Sequence, residues 1–412
     1  MRDLIEVKND VEFIKELKKR GGETLKKCYQ CATCSVVCDL SPEENAFPRK
    51  EMIWASWGLK EELLSDPDLW LCHGCMECSE KCPRGARPAD LMAALRDYVY
   101  KHFAVPKFMG TALGSPKYLP LLLLLPIVLI SLLVMITQNW DLNNLFPIKE
   151  GPFRYKEFVA HGPIEMLFIS GNILIFAFTF FGYKRYWDNL QCKLNRPKVR
   201  TFWQSVWQVL VDLFLHKKFS RCTTNSTRFW GHLLIFYGFL GAMIATGVVV
   251  INVIGIFGKI LPEDMNLPIR MFAGFDIHNP DELREFFGLF VKLFGILSGF
   301  LIVIGSLMCL IRRYKTNLQH GKSSYSDMLF LWVVWGVAST GLLCVLFRLM
   351  HTAVLGFPTY FIHLVLVYFL LWYMPYSKFA HMVYRFLGLV FLKMYGREEK
   401  SPKLLVTYNS NN

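Results

Sequence analysis

Negative charge is scarce in this chain. Asp and Glu number 33 against 46 Lys and Arg, giving a formal charge of +13, and charged residues make up only 19% of the 412 positions. With 53% hydrophobic and 15% aromatic residues and a mean hydropathy of +0.30, too little polar side chain remains to clothe an ordinary water-soluble protein. The first hundred residues lack the apolar h-region of a secretory signal, so no cleaved leader is expected. No side chain beside the clustered cysteines is placed as a substrate base or nucleophile, which sets aside hydrolytic chemistry there. The cysteines do not form the well-separated Cys-x2-Cys pairs of structural zinc sites. Two copies of one spacing also suit a disulfide framework poorly.

What is present is Cys28-x2-Cys31-x2-Cys34-x3-Cys38 and then Cys72-x2-Cys75-x2-Cys78-x3-Cys82-Pro83. This is the run of paired [4Fe–4S] clusters, in which each fourth cysteine ligates the other cluster. Three closely spaced thiolates wrap one corner of a cubane and the fourth arrives from another segment. The expected sets are Cys28, Cys31, Cys34 and Cys82 on one cluster, and Cys72, Cys75, Cys78 and Cys38 on the other. Such thiolates need a reducing compartment, so this part should face the cytoplasm. Cys192, Cys222, Cys309 and Cys344 fit no ligand spacing and read as ordinary small residues.

Residues 1–105 read as a small, mostly helical, ferredoxin-like domain. Helices are expected over Asp10–Lys19 (Val11, Ile14, Leu17), Pro48–Leu64 and Ala89–His102, ending before Pro106. Met52, Ile53, Trp54 and Trp57 are available to pack beside a cluster. The clusters should hold this domain together more than its core does, so removing iron should unfold it.

Residues 106–397 change character. Six apolar runs long enough to cross a bilayer lie near Tyr118–Ile136, Glu165–Phe181, Trp230–Ile254, Phe287–Ile311, Leu329–Leu349 and Phe357–Met374. A basic loop, 183–228, carries Lys184, Arg185, Lys193, Arg196, Lys198, Arg200, Lys217, Lys218, Arg221 and Arg228 against Asp188 and Asp212. The loop Pro262–Glu285 is acidic. The positive-inside rule then places both termini in the cytoplasm, with residues 398–412 as a tail. The basic excess is thereby explained by topology, and no nucleic-acid partner is expected. Within the basic loop, Trp203, Val206, Trp207, Leu210, Leu213 and Phe214 recur at helical spacing, as in a helix lying in the membrane interface or packed against the soluble domain.

His363 and His381 are eighteen residues apart, five turns of a continuous helix, or about 27 Å. On that reading they hold one b haem near each side of the membrane, each needing a second imidazole. His232, at the cytoplasmic end of the third span, pairs with His381. For His363 the candidates are His161 and, alternatively, His351, with His278 weaker. Arg348 and Lys292 are charges inside the outer ends of spans and suit haem propionates or a quinone carbonyl, unless they snorkel to the surface.

These residues carry a resemblance. The doubled cysteine run is similar to that of the iron–sulfur C subunit of heterodisulfide reductase. The membrane part resembles the dihaem cytochrome b (the E subunit) of heterodisulfide reductase and the γ subunit of respiratory nitrate reductase. The matching stretches are His363 through Pro375-Tyr376-Ser377-Lys378-Phe379-Ala380-His381 and Arg228-Phe229-Trp230-Gly231-His232. The family's second histidine on the latter helix has no counterpart in Ala242–Thr246. The fusion of both halves resembles the third subunits of the quinone-interacting membrane-bound oxidoreductase complexes of sulfate reducers. The resemblance implies a bis-[4Fe–4S] domain on a six-helix dihaem cytochrome b bundle, menaquinone as substrate, two soluble flavin-containing partners similar to the A subunit of heterodisulfide reductase, and electron delivery toward adenylylsulfate (APS) reductase. The catalytic flavin centre would lie in those partners. No CCG-type cysteine segment is present, so the chain is not expected to reduce a disulfide itself.

Overall fold

A computed structural model describes residues 9–42, 45–141, 146–147, 153–192, 197–216, 226–254, 280–315 and 324–397. Cys222, His278, the tail 398–412 and most of the acidic loop Pro262–Glu285 lie outside the described residues. The described residues are mainly helical and contain no strand.

The first part winds α1 (Val11–Lys19), α2 (Thr33–Val36), α3 (Arg49–Trp57), α4 (Lys60–Leu64), α5 (Glu77–Glu80) and α6 (Pro88–Phe103) around the two cysteine loops. α1 starts where Asp10, as N-cap, accepts a 2.9 Å bond from the Phe13 amide. The helix expected over Pro48–Leu64 is two helices, because Gly58 takes a left-handed conformation (φ 70) and ends α3. Met52 is buried, whereas Trp57 is 62% exposed.

After α7 (Lys107–Leu113) come α8 (Leu119–Thr137), α9 (His161–Cys192), α10 (Phe202–Leu215), α11 (Ser226–Ile254), α12 (Pro280–Lys315), α13 (Tyr325–Leu349), α14 (Ala353–Tyr373) and α15 (His381–Met394). Six of them, α8, α9, α11, α12, α13 and α14, contain stretches long and apolar enough to cross a membrane. α9 differs from expectation. It runs on to Cys192, so residues 183–192 are helix and not the start of a loop; no Pro or Gly interrupts the chain there until Pro197. Its added turns leave the apolar bundle and bury Tyr186 and Leu190 in the core of the cysteine-bearing part.

That core is larger than the sequence suggests. Phe13, Leu17, Met52, Leu63, Trp70, Leu91, Met92, Leu95 and Val99 form one buried cluster with Tyr186 of α9 and Tyr384 and Phe391 of α15. Each such side chain contributes about 1.5–3 kcal/mol relative to exposure. Trp70 is the pivot. Its Nε1 donates to Tyr186 Oη at 2.6 Å and its ring stacks on Tyr384 at 6.1 Å. Helices from the membrane part complete this core, so the cysteine-bearing part has packing of its own beside its two cysteine loops.

α10 packs Ser205 and Val209 against Val390 and Met394 of α15 and leaves Trp203, Trp207 and Leu215 more than half exposed. One face is thus covered by protein and the other is apolar and open, the pattern of an interfacial helix.

Candidate electron-transfer sites

The two cysteine loops repeat each other residue for residue at a spacing of 44 positions (72 − 28). Gln30 and Gly74 both take positive φ (60 and 63), as do Ala32 and Met76 (67 and 73), each pair followed by a single helical turn, α2 or α5. Non-glycine residues persist in that conformation only where the surroundings impose it. Here it turns backbone N–H groups inward, making the concave nest that suits an anionic cluster. Gln30 Nε2 donates to Cys28 Sγ at 3.3 Å and the Gly74 amide to Cys72 Sγ at 3.2 Å.

Cys28, Cys31, Cys34 and Cys82 line one hollow together with Tyr29, Arg49 and Arg84. Cys38 lies instead within electrostatic range of Cys72 and Cys75, and Cys78 of Cys72, Cys75 and Cys38. Burial, then the neighbouring Cys28, pushes the Cys34 thiol up to about 11; burial pushes Cys38 up to about 12 and Cys78 higher still. Such crowded thiols lose their protons together only when an iron centre takes up the charge, so the donor sets fit clusters. The first site is the open one, with Cys31 exposed, Tyr29 67% exposed and Val36 61% exposed.

The histidines divide by depth. His363 sits ten residues from either end of α14 and faces α13: its Nδ1 is hydrogen-bonded to Thr340 Oγ1 at 3.0 Å, and that hydroxyl also lies 2.7 Å from the Gly336 carbonyl. A Cβ on Gly341 would stand 3.1 Å from the ring. His381 opens α15, with Nδ1 donating to the Lys378 carbonyl. Both rings thus have Nδ1 engaged, which orients Nε2 toward a metal and fits axial ligation of a haem.

The five-turn geometry expected for this pair does not hold. α14 stops at Tyr373, two 3₁₀ turns (Met374–Tyr376 and Lys378–Ala380) follow, and only then does α15 begin. Pro375 forces the break, since it has no N–H to donate and restricts the residue before it. A separation of five helical turns therefore does not apply, and His363 lies mid-span by residue count. The turn is pinned by Lys378, whose ammonium meets Asp327 of α13, itself 3.3 Å from Arg313 of α12.

His232 lies near the end of α11 that meets the cysteine-bearing part, within electrostatic range of His381, Arg228, His216 and Arg385. His216, the C-cap of α10, was not singled out in the sequence; its ring centroid is 6.0 Å from that of His232 and its Nδ1 is 3.1 Å from the Phe214 carbonyl. Only long-range packing puts it there, and spacing carries no signal for it. At the far end, His351 sits exposed in the turn between α13 and α14 (φ 54), its amide bonded to the Arg348 carbonyl, and is not brought to His363. His161 begins α9, and its side chain is outside the described residues. Phe168 against Tyr368 (6.4 Å) and Gly171 against Trp372 set α9 beside α14 so that His161 starts near the level of Phe361. Lys292 and Arg348 are half-buried and within electrostatic range of each other.

The loop between Cys72 and Cys75 is held from three sides. Arg96 of α6 donates to the Cys72 carbonyl at 2.6 Å, Arg228 of α11 donates to the Gly74 carbonyl, and Arg385 Nη2 of α15 stands 3.0 Å from Nδ1 and 3.2 Å from Nε2 of His73. Gly74 has a left-handed φ, and a Cβ there would come within 3.2 Å of the Arg228 guanidinium.

Residues 24–86 match the 4Fe–4S dicluster domain family. Among known proteins, this region is similar to the C subunit of the H(2):CoB-CoM heterodisulfide,ferredoxin reductase of Methanothermobacter marburgensis, 37% identical over 115 residues, covering 26% of this chain and 62% of that protein. The heterodisulfide reductase C-subunit-like protein of Archaeoglobus profundus is 38% identical over 99 residues (24% and 51%), and the iron-sulfur C subunit of the CoB–CoM heterodisulfide reductase of Methanopyrus kandleri 33% over 78 (19% and 41%). The chain spans less than two thirds of the length of each of these relatives. No solved structure matches it. The N-terminal region therefore carries a 4Fe–4S dicluster domain and resembles heterodisulfide reductase C subunits, and it is joined to helices long and apolar enough to cross a membrane.

Proposed function

We propose that this chain is a membrane electron-transfer subunit that passes electrons from menaquinol to cytoplasmic flavin-containing partners similar to the A subunit of heterodisulfide reductase, and onward to APS reductase. The observation that carries the proposal is the packing of the Cys72–Cys78 loop against the helix ends that bear His232 and His381. When bound, two [4Fe–4S] clusters and two b haems supply the one-electron carriers. Cys28, Cys31, Cys34 and Cys82 hold one cluster, and Cys72, Cys75, Cys78 and Cys38 the other. His232 and His381 hold the inner haem; His363 and His161 hold the outer one. Arg348 and Lys292 offer positive charge to propionates or to the quinone. Oxidation of one quinol releases two electrons and two protons, so the chain divides a two-electron oxidation into single-electron steps. Both termini face the cytoplasm, the side on which the basic segments lie.

Haem content of the purified chain and of His363→Ala and His381→Ala tests the assignment. Each variant should lose one of two haems, and retention of both by either variant overturns it. A reduced-minus-oxidised spectrum after adding a menaquinol analogue tests the substrate. Haems that stay oxidised would favour a cluster-bearing membrane anchor without quinone chemistry. The names of the relatives favour one further reading, a component of a heterodisulfide- or sulfite-reduction complex whose catalytic centre lies in a partner.

A further inference from the structure

Arg228 precedes His232 by four residues on α11, and Arg385 follows His381 by four on α15. At 3.6 residues per turn each arginine therefore shares a helix face with its histidine, one turn away. The two helices are far apart in sequence, yet both arginines end on adjacent residues of one dipeptide, His73-Gly74, enclosed by Cys72 and Cys75. Arg228 also lies within electrostatic range of the Cys72 thiol. Nothing comparable among the described residues reaches the equivalent dipeptide, Tyr29-Gln30. There Tyr29 is exposed and takes only Arg84, from its own part of the chain, at 2.8 Å from its hydroxyl.

We infer that Arg228 and Arg385 are positioning residues that clamp the Cys72–Cys75 loop onto the two inner histidines, making the site of Cys72, Cys75, Cys78 and Cys38 the membrane-side relay. The site of Cys28, Cys31, Cys34 and Cys82, open around Tyr29 and Val36, is then the partner-facing one. This rests on the electron-transfer reading above and adds an order to it. The step is a single-electron transfer: no bond forms or breaks, the membrane-side donor is oxidised by one electron and the group on Cys72, Cys75, Cys78 and Cys38 is reduced by one. Each transfer adds negative charge beside the guanidiniums, which stabilise the reduced form in a setting where water screens little. The clamp serves geometry and potential together.

The test uses the full chain with its cofactors, comparing Arg228→Gln and Arg385→Gln with Arg228→Lys and Arg385→Lys. Redox titration followed by electron paramagnetic resonance reads each cluster, the second identified as the signal missing in Cys75→Ser. The Gln variants should lower the midpoint of the second cluster by a tenfold change in its reduction equilibrium, about 59 mV for one electron. The first cluster should stay in place, the Lys variants should recover most of the shift, and amide exchange over residues 72–76 should quicken in the Gln variants. Loss of the second cluster alone in a Gln variant also supports the clamp. Unmoved midpoints with unchanged exchange, a shift in the first cluster, or loss of both clusters together overturns it. If the unaltered chain itself binds no clusters, the underlying electron-transfer reading fails, and that outcome is distinct from an unmoved midpoint in a loaded protein.

Discussion

Thr340 does for His363 what a backbone carbonyl does for His381. Imidazole has two nitrogens, and an axial ligand needs one of them fixed so that the other presents its lone pair in one direction. Thr340 Oγ1 bonds Nδ1 and also reaches the Gly336 carbonyl, so the ring is held by a chain of two hydrogen bonds inside the apolar bundle. Replacing it by valine keeps the shape and removes the hydroxyl. On the proposed haem assignment, Thr340→Val should retain the fold and both haems but weaken the binding of the outer one, by roughly the 10–100-fold typical of losing an outer-shell partner. Haem retention on extensive dilution, followed by absorbance, reads this; retention equal to the unaltered chain would show that Thr340 does not orient the ligand. The histidines themselves were visible as residues eighteen apart, but Thr340 was not, because a threonine in an apolar run has no signature until the neighbouring helix is placed beside it.

Among elements, α15 does the most joining. It buries Phe391 and Leu392 with the cysteine-bearing part, Val390 and Met394 against α10, and brings Gly388 so close to Trp70 that a Cβ would stand 2.5 Å from the indole. Gly388→Leu should force Trp70 away from Tyr186 and Tyr384 and destabilise this junction by about 1–3 kcal/mol, the usual cost of overpacking a filled core. A lower melting temperature in detergent, with both clusters still bound, is the expected reading; an unchanged one would mean that the contact tolerates a shift. The sequence showed the six apolar helices well, because hydropathy over roughly 20 residues is a local signal. It also showed both cysteine runs, whose spacing is itself the ligand geometry. It misjudged α9, whose last turns are amphipathic and hide in the charge of a presumed loop, and it carried His363 to His381 on one helix although Pro375 stood between them. The arginine contacts to His73 and Gly74 were out of reach, since they join residues 154 and 312 positions apart.

At the scale of the whole molecule, the question is whether the cysteine-bearing part folds on its iron or on its packing. Small metal domains commonly unfold without metal because the ligand bonds supply most of the folding energy. Here the buried cluster around Trp70 draws on α1, α3, α6, α9 and α15, and a second tie runs through Lys50, which bonds Asp66 at 2.9 Å and reaches Asp68, while Arg397 beyond α15 bonds Asp68 at 2.9 Å. Burial opposes the ammonium of Lys50, yet Asp66, Glu51 and Asp68 hold its pKa above the usual lysine value, while burial pushes the Glu51 and Asp68 carboxyls up. Cys72 is buried in the cluster around Trp70 and Cys28, Cys38 and Cys82 pack against it, but the ties through Trp70, Tyr186, Tyr384 and Lys50 run between other side chains. Removing iron with a chelator under reducing conditions should therefore melt the two loops, 28–38 and 72–82, where residues such as Gln30, Ala32 and Met76 hold left-handed backbone, and leave α6 folded. Amide exchange should rise sharply in those loops while residues 91–103 stay protected and far-UV circular dichroism barely changes. Loss of protection in α6 together with the loops would mean instead that the clusters hold the domain, and that the packing on α9 and α15 is too weak to stand without them.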